Sequence, residues 1–255
     1  MKQLFDLFDP YNLRARVFPA LLVVLPIALA FVSIFPVHYQ GLVGAVTGCV
    51  ALIGIWLLAD HARDAGQNIQ AHLYKKWGGK PSITILGHSQ KIVSTEALAR
   101  CHKKLRELDS SLNIPMNLED EAAHGEKALE TYKSCNELLL QHTRDKSKFS
   151  LLFEENIRYG FRRNAYAMRI VGFWLSVVGF VICGAALAVK GYQSGSIDVV
   201  SLVGAVFCIC LVLFWALTSE KWVWRQANQF ASTLILESHR IDNRIPSSKE
   251  EEKHE

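Results

Sequence analysis

Three stretches without a single charged residue, Val17 to Ala59, Ile170 to Val189 and Val199 to Ser219, restrict this chain more than any other feature. A helix that crosses a bilayer needs about 20 apolar residues. The first stretch is long enough for two crossings around the polar turn His38-Tyr39-Gln40-Gly41, and each of the others suffices for one. The expected architecture is therefore all-α and polytopic, with four transmembrane helices and a helical bundle formed partly by extensions of those spans. Half of the 255 residues are hydrophobic and 20% are charged, but the charges are crowded outside the runs. The averages describe two solvents.

Lys and Arg beside the spans predict the orientation, because basic loops stay cytoplasmic. Residues 60–167 carry 17 of them, Lys2, Arg14 and Arg16 precede the first span, and six follow from Lys221 onward. The loop between the first two spans has none, and the loop between the last two has only Lys190. Both termini and the insertion are expected on the cytoplasmic side of the membrane. Tyr39 and Tyr192 fall at the outer boundary, and Trp56, Trp174, Trp215, Trp222 and Trp224 near the inner one, as aromatic belts do. The segments are 1–16, an interfacial leader; 17–59, spans one and two; 60–167, a cytoplasmic helical insertion; 168–219, spans three and four; 220–245, a helical extension; and 246–255, a charged tail without expected order. Ala28-Leu29-Ala30 resembles a signal-peptide cleavage site, but the apolar run continues to Phe35 and the leader holds Asp6 and Asp9, so an ordinary first span is expected.

Small residues in the spans form stripes. Gly41, Gly44, Gly48 and Ala51 follow steps of three, four and three; Gly172, Ser176, Gly179, Cys183 and Ala186 follow four, three, four and three. Such stripes let helices approach closely where lipid supplies no hydrophobic drive. They predict helix-packing seams, within one chain or in a homo-oligomer. No Asp, Glu, Lys or Arg lies inside a span, which argues against ion-coupled transport and leaves a pore across an oligomer open.

In the insertion, the second span continues to Trp77, where Gly78-Gly79-Lys80-Pro81 stops it. These residues lack the first glycine and the hydroxyl of a phosphate loop. Ser82 to Leu86 reads as an extended connection. Ser94 caps a helix with the seam Leu98, Cys101, Leu105 and Leu108; a longer helix runs from about Leu118 to Thr143; another from about Ser147 passes into the third span. The fourth span is expected to continue unbroken through Val223, Ala227, Phe230, Leu234 and Ile241.

Chemistry is sparse. The six cysteines read as packing residues, Cys208 and Cys210 pointing to different sides. Glu121 and His124 have metal-ligand spacing, but no second pair completes a di-iron set, so no metal and no cofactor are expected. Arg100 and His102 miss the spacing of HEPN ribonucleases, and nucleic acid is not an expected partner. Arg158, Arg162, Arg163 and Arg169 stand out as candidates for binding phosphate or lipid headgroups, because guanidinium binds phosphate in a bidentate way; a topology-setting anchor is the plainer reading. Gly160 among them points to a close approach.

The run Leu4-Phe5-Asp6-Leu7-Phe8-Asp9-Pro10-Tyr11-Asn12-Leu13-Arg14-Ala15-Arg16, the segment Trp77-Gly78-Gly79-Lys80-Pro81 and the run Tyr159-Gly160-Phe161-Arg162-Arg163-Asn164 resemble an uncharacterised group of bacterial four-span inner-membrane proteins. The layout is similar to that of SLATT-type membrane effectors of bacterial defence, in which inner-membrane helices are coupled to a cytosolic helical part, a likeness of architecture alone. The functional expectation is a non-enzymatic protein that couples a partner-binding bundle to its spans, with permeabilisation by an oligomer as one output. The alternatives are a nucleotide- or phosphate-binding module or enzyme using the arginines with Asp60 and Asp64, and a plain scaffold of a membrane complex. Expected partners are the bilayer and a second copy or another protein.

Overall fold

Breaker residues and hydropathy account for the helices of the computed structural model, which describes residues 9–35 and 41–242; side chains are described for all of these except 41–53, 55 and 56. The described residues are all-helical, without strands. Helices α1 (Pro10–Ile34), α6 (Ser150–Ser194) and α7 (Val199–Leu217) are each long and apolar enough to cross a membrane. Helix α2 (Gly41–Lys76) holds the other apolar run. The stripe Gly41, Gly44, Gly48 and Ala51, together with Cys49 and Trp56, lies outside the described side chains, and Tyr39, residues 1–8 and the tail from 243 lie outside the described residues.

The chain divides into two compact units. One holds residues up to Ala71 together with Ile157–Val223, and the other holds His72–Asn156 together with residues from Trp224 onward. These divisions follow contacts, whereas the sequence boundaries at 59, 167 and 219 follow hydropathy, so the two need not coincide.

In the first unit, α1, α6 and α7 meet through small residues. A Cβ on Gly179 of α6 would lie 2.8 Å from the Pro26 carbonyl oxygen and 2.9 Å from the Pro26 Cβ of α1. On Gly172 it would run into the indole of Trp215 of α7. Buried Cys183 sits beside Ser33 of α1, whose Oγ lies 3.5 Å from the sulfur, and a Cβ on Gly204 of α7 would come within 2.9 Å of that sulfur. The Ser176 hydroxyl returns to the Gly172 carbonyl at 2.7 Å, the usual resolution for a buried hydroxyl on a helix. The α6 stripe is thus occupied by the chain's own α1 and α7, with Ala186 half-buried at its end. Trp215, read as a belt residue, is instead buried at 2% exposure, because Gly172 leaves room for its ring.

The second unit packs a core of Ile85, Leu86, Leu98, Cys101, Leu105, Tyr132, Cys135, Leu139, Phe149, Leu152, Leu234 and Ile235. Helix α3 (Thr95–Leu108) begins at Ser94, whose hydroxyl accepts from the Ala97 amide at 3.2 Å. Four expectations change here. Pro81–Thr84 is a turn of helix, not an extended connection, since proline at the first position has its φ set for helix and the turn delivers Ile85 and Leu86 to the core. The helix expected over 118–143 is two, α4 (Leu118–His124) and α5 (Glu126–His142), because Gly125 takes φ +51. The helix from Ser147 begins at Ser150, Asp145 capping the amides of Ser147 and Lys148 in the preceding turn. Helix α7 does not continue into α8 (Glu220–Glu237): Thr218 is extended, and its hydroxyl bonds back to the Phe214 carbonyl at 2.9 Å. Helix α8 also stops at Glu237, and a 3-10 turn, Ser238–Arg240, brings Ile241 into the core.

The leader differs as well. From Pro10 it is continuous with the first apolar helix, while the part expected to lie on the membrane surface, Leu4 to Phe8, is outside the described residues. Asp9 caps it, and Leu13–Val17 form a π-helical turn in which the Phe18 amide bonds to the Leu13 carbonyl. Such turns widen the helix locally.

Candidate functional site at the juxtamembrane arginines

Spacing along α6 alone separates the four arginines. Arg158, Arg162 and Arg169 follow steps of four and seven and so share one side, while Arg163 stands about 100° away. The structure places them in three environments.

Arg162 reaches α8. Its Nη1 donates to the Trp222 carbonyl at 3.1 Å, and the guanidinium lies 4.9 Å from the Trp222 ring centroid. Phe161 and Phe214 meet the same indole edge-on, at 6.2 and 6.3 Å. Arg158, one turn earlier, is exposed. With Arg14 and Phe18 of α1, Arg158, Arg162 and Trp222 line a cavity of about 490 Å³.

Arg163 belongs to a second cluster. Its Nη1 donates to Gln70 Oε1 at 3.0 Å, and Nε and Nη2 donate to Asn164 Oδ1 at 3.2 and 3.1 Å. Asn164 is buried at 1% exposure and donates from Nδ2 to the Ala15 carbonyl, in the π turn of α1, at 2.7 Å. Two glycines make this approach possible. A Cβ on Gly66 would run into Asn164 Oδ1, and one on Gly160 would lie 2.9 Å from the Ala15 Cβ and 3.3 Å from the Tyr11 hydroxyl. The close approach expected at Gly160 is therefore made by the chain's own first helix. Arg16 lies over the Tyr11 ring at 5.5 Å and within electrostatic reach of Arg63, Arg163 and Asp60. The Nε of Arg63 is buried with no hydrogen-bond partner among the described residues. Arg163 and the Asn164 amide thus tie α1, α2 and α6 together, with Arg16 in electrostatic reach of Arg63 and Arg163.

Arg169 joins neither cluster, its guanidinium lying 3.8 Å over the Tyr166 ring. Sequence reasoning thus named Arg158 and Arg162 but passed over Arg14, Arg16 and Arg63. Arg14 and Arg16 were on view as topology charges; nothing local says that they meet residues some 150 positions away.

The other candidates in the second unit are engaged separately. His124 pairs with Asp120, Nδ1 to Oδ1 at 3.1 Å, whereas Glu121 Oε2 accepts from the His88 amide at 2.6 Å and the Tyr132 hydroxyl at 3.2 Å. Glu121 and His124 therefore do not present one ligand pair. The buried His102 has its Nε2 at 2.9 Å from the Leu86 carbonyl, and burial pushes its pKa down to about 4, so it donates there as neutral imidazole. Burial raises the thiols of Cys101 and Cys135 to about 11 and 12, which suits packing and not nucleophilic attack. In the first unit, Asp60 and Asp64 are both exposed.

Comparison with family models, curated proteins and solved structures gives no match to this chain.

Proposed function

We propose that this is a four-span protein of a bacterial inner membrane that acts without catalysis, coupling a partner-binding helical unit to its membrane helices. The observation that carries this reading is the sharing of helices. Helix α2 carries residues of both units, passing from one to the other at Ala71, and α6 does so at Asn156. A partner that shifts such a helix in one unit acts on the same rod in the other, which is a physical route for a signal. In this reading the apolar half of α2 is the fourth crossing, and the basic residues outside the apolar runs support a cytoplasmic position for the second unit and both termini. The output is a change in membrane permeability.

The test is dye influx on expression in bacteria, comparing the wild type with a variant carrying Gly-Gly inserted after Ala71. The expected result is influx with the wild type and none with the insertion variant, while cysteine labelling at Ser111→Cys and Ser194→Cys reports the same topology in both. Wild-type protein that leaves permeability unchanged, or an insertion variant as active as the wild type, overturns the reading.

A further inference from the structure

The cavity lined by Arg14, Arg158 and Arg162 stands out for the basic character of its walls. Three guanidinium-bearing side chains from two helices converge on a space of about 490 Å³, within the size range of small-ligand sites. Its remaining walls are Phe18, Phe161, Trp222 and Ile157. Arginine presents a planar fork of donors that matches phosphate and carboxylate oxygens alike, and several guanidiniums around one space suit a group with three or more acceptor oxygens, as a phosphate has.

Position adds the second half of the argument. Arg14 lies four residues before Phe18, one turn along α1, and both face the cavity. Arg162 precedes the uncharged run of α6, and Trp222 follows that of α7. The cavity therefore sits where apolar helices give way to polar chain. Next to it, Phe18 is 45% exposed and Leu21 is 36% exposed, an apolar track leading from the arginines along α1. Tryptophan at this level is the usual companion of lipid headgroups.

We propose that the Arg14–Arg158–Arg162 cavity is a phosphate-binding site whose ligand is the headgroup of an anionic phospholipid, with the acyl chains running over Phe18 and Leu21. The arginines contact the phosphate and Trp222 flanks it. The inference is independent of the coupling reading, since it concerns binding at equilibrium and not permeability.

The experiment is native mass spectrometry of the full chain in detergent with added phosphatidylglycerol or phosphatidylcholine, together with calorimetric titration of inorganic phosphate. The expected result is retention of phosphatidylglycerol over phosphatidylcholine, weakened about tenfold by Arg158→Ala and by Arg14→Ala, as loss of one charge-assisted hydrogen bond predicts. Arg158→Lys should restore part of the binding, and Arg225→Ala, an exposed arginine on α8, should leave it unchanged. Arg162→Ala is avoided as the sole probe because it also removes the bond to Trp222; unaltered thermal melting certifies the folding of the other variants. Binding of inorganic phosphate with the same dependence on Arg14 and Arg158, without preference between the lipids, supports the phosphate site and overturns the lipid as its source. Lipid and phosphate binding that do not respond to Arg14→Ala or Arg158→Ala overturn the proposal.

Discussion

Asn164 donates to the Ala15 carbonyl at 2.7 Å, joining residues 149 positions apart in a buried amide-to-backbone bond. It ties α6 to the π turn of α1, and the other end of the same amide receives Arg163. Replacing Asn164 by Leu leaves a buried carbonyl without its donor and removes one of the two acceptors of Arg163, Gln70 being the other. The expected cost is about 1–3 kcal/mol, the desolvation penalty of an unsatisfied buried group. Thermal melting of the detergent-solubilised protein checks it; a variant that melts with the wild type would show that the bond carries no stability.

Gly179 and Gly184 offer a matched pair on one helix. Leucine at 179 must displace the Pro26 backbone of α1, whereas at 184 nothing lies within 4 Å of the added Cβ. Gly179→Leu should lower stability by about 1–3 kcal/mol through overpacking, and Gly184→Leu should be close to neutral. Equal melting temperatures for the two variants would argue against the α1–α6 seam.

His102 makes the second unit sensitive to acid. The ring is 3% exposed, faces the Leu86 carbonyl, His88, Arg106 and the stacked Tyr132, and has its pKa lowered from 6.5 to about 4, chiefly by burial. The unfolded chain takes up this proton below pH 6.5 while the folded one does not until about pH 4. The stability that His102 allows is therefore complete above pH 6.5 and falls as the pH drops through that window, by about 3 kcal/mol at its lower end. His102→Gln keeps a donor for Leu86 and removes the titration. Melting curves between pH 4.5 and 7 should be flatter for this variant, and an unchanged slope would assign the acid sensitivity elsewhere.

Cys101 and Cys135 are fully buried, with thiols raised by burial. Neither should be alkylated by iodoacetamide at pH 7.5 in the folded protein, and both should be in denaturant. Peptide mass mapping reads the result, and labelling of either in the native state would mean that the second unit opens readily.

Gln226 bonds the buried carboxylate of Glu155 from α8 to α6 within the second unit. Gln226→Leu removes this buried bond and should destabilise by about 1–3 kcal/mol, with Gln226→Asn intermediate. Denaturant titration followed by circular dichroism distinguishes them.

Much of the fold was legible because it is local. The uncharged runs, the Gly78-Gly79 stop and the Ser94 cap each act through their own few residues, and the structure shows helices that begin and end accordingly. The misreadings are also local but subtler: Gly125 breaks a helix whose flanking periodicity looks continuous, and Thr218 ends one by taking up the Phe214 carbonyl. Helix periodicity registers faces, and a single residue that changes the backbone angle leaves that pattern almost intact.

The site was legible only as composition. Sequence determined that α6 carries a small-residue stripe and a run of arginines, and the helical period placed Arg163 on a different side from Arg158 and Arg162. Tertiary structure decided that the stripe receives Pro26 and Trp215 of the same chain, that Arg14 completes the cavity of Arg158 and Arg162, and that Arg163 is taken up by Gln70 and Asn164. The reason is the range of the forces. A helix is specified by bonds between residues four apart, but the neighbour that fills the space above Gly179 or beside Arg158 comes from more than 130 residues away, and only the packing of whole helices selects it.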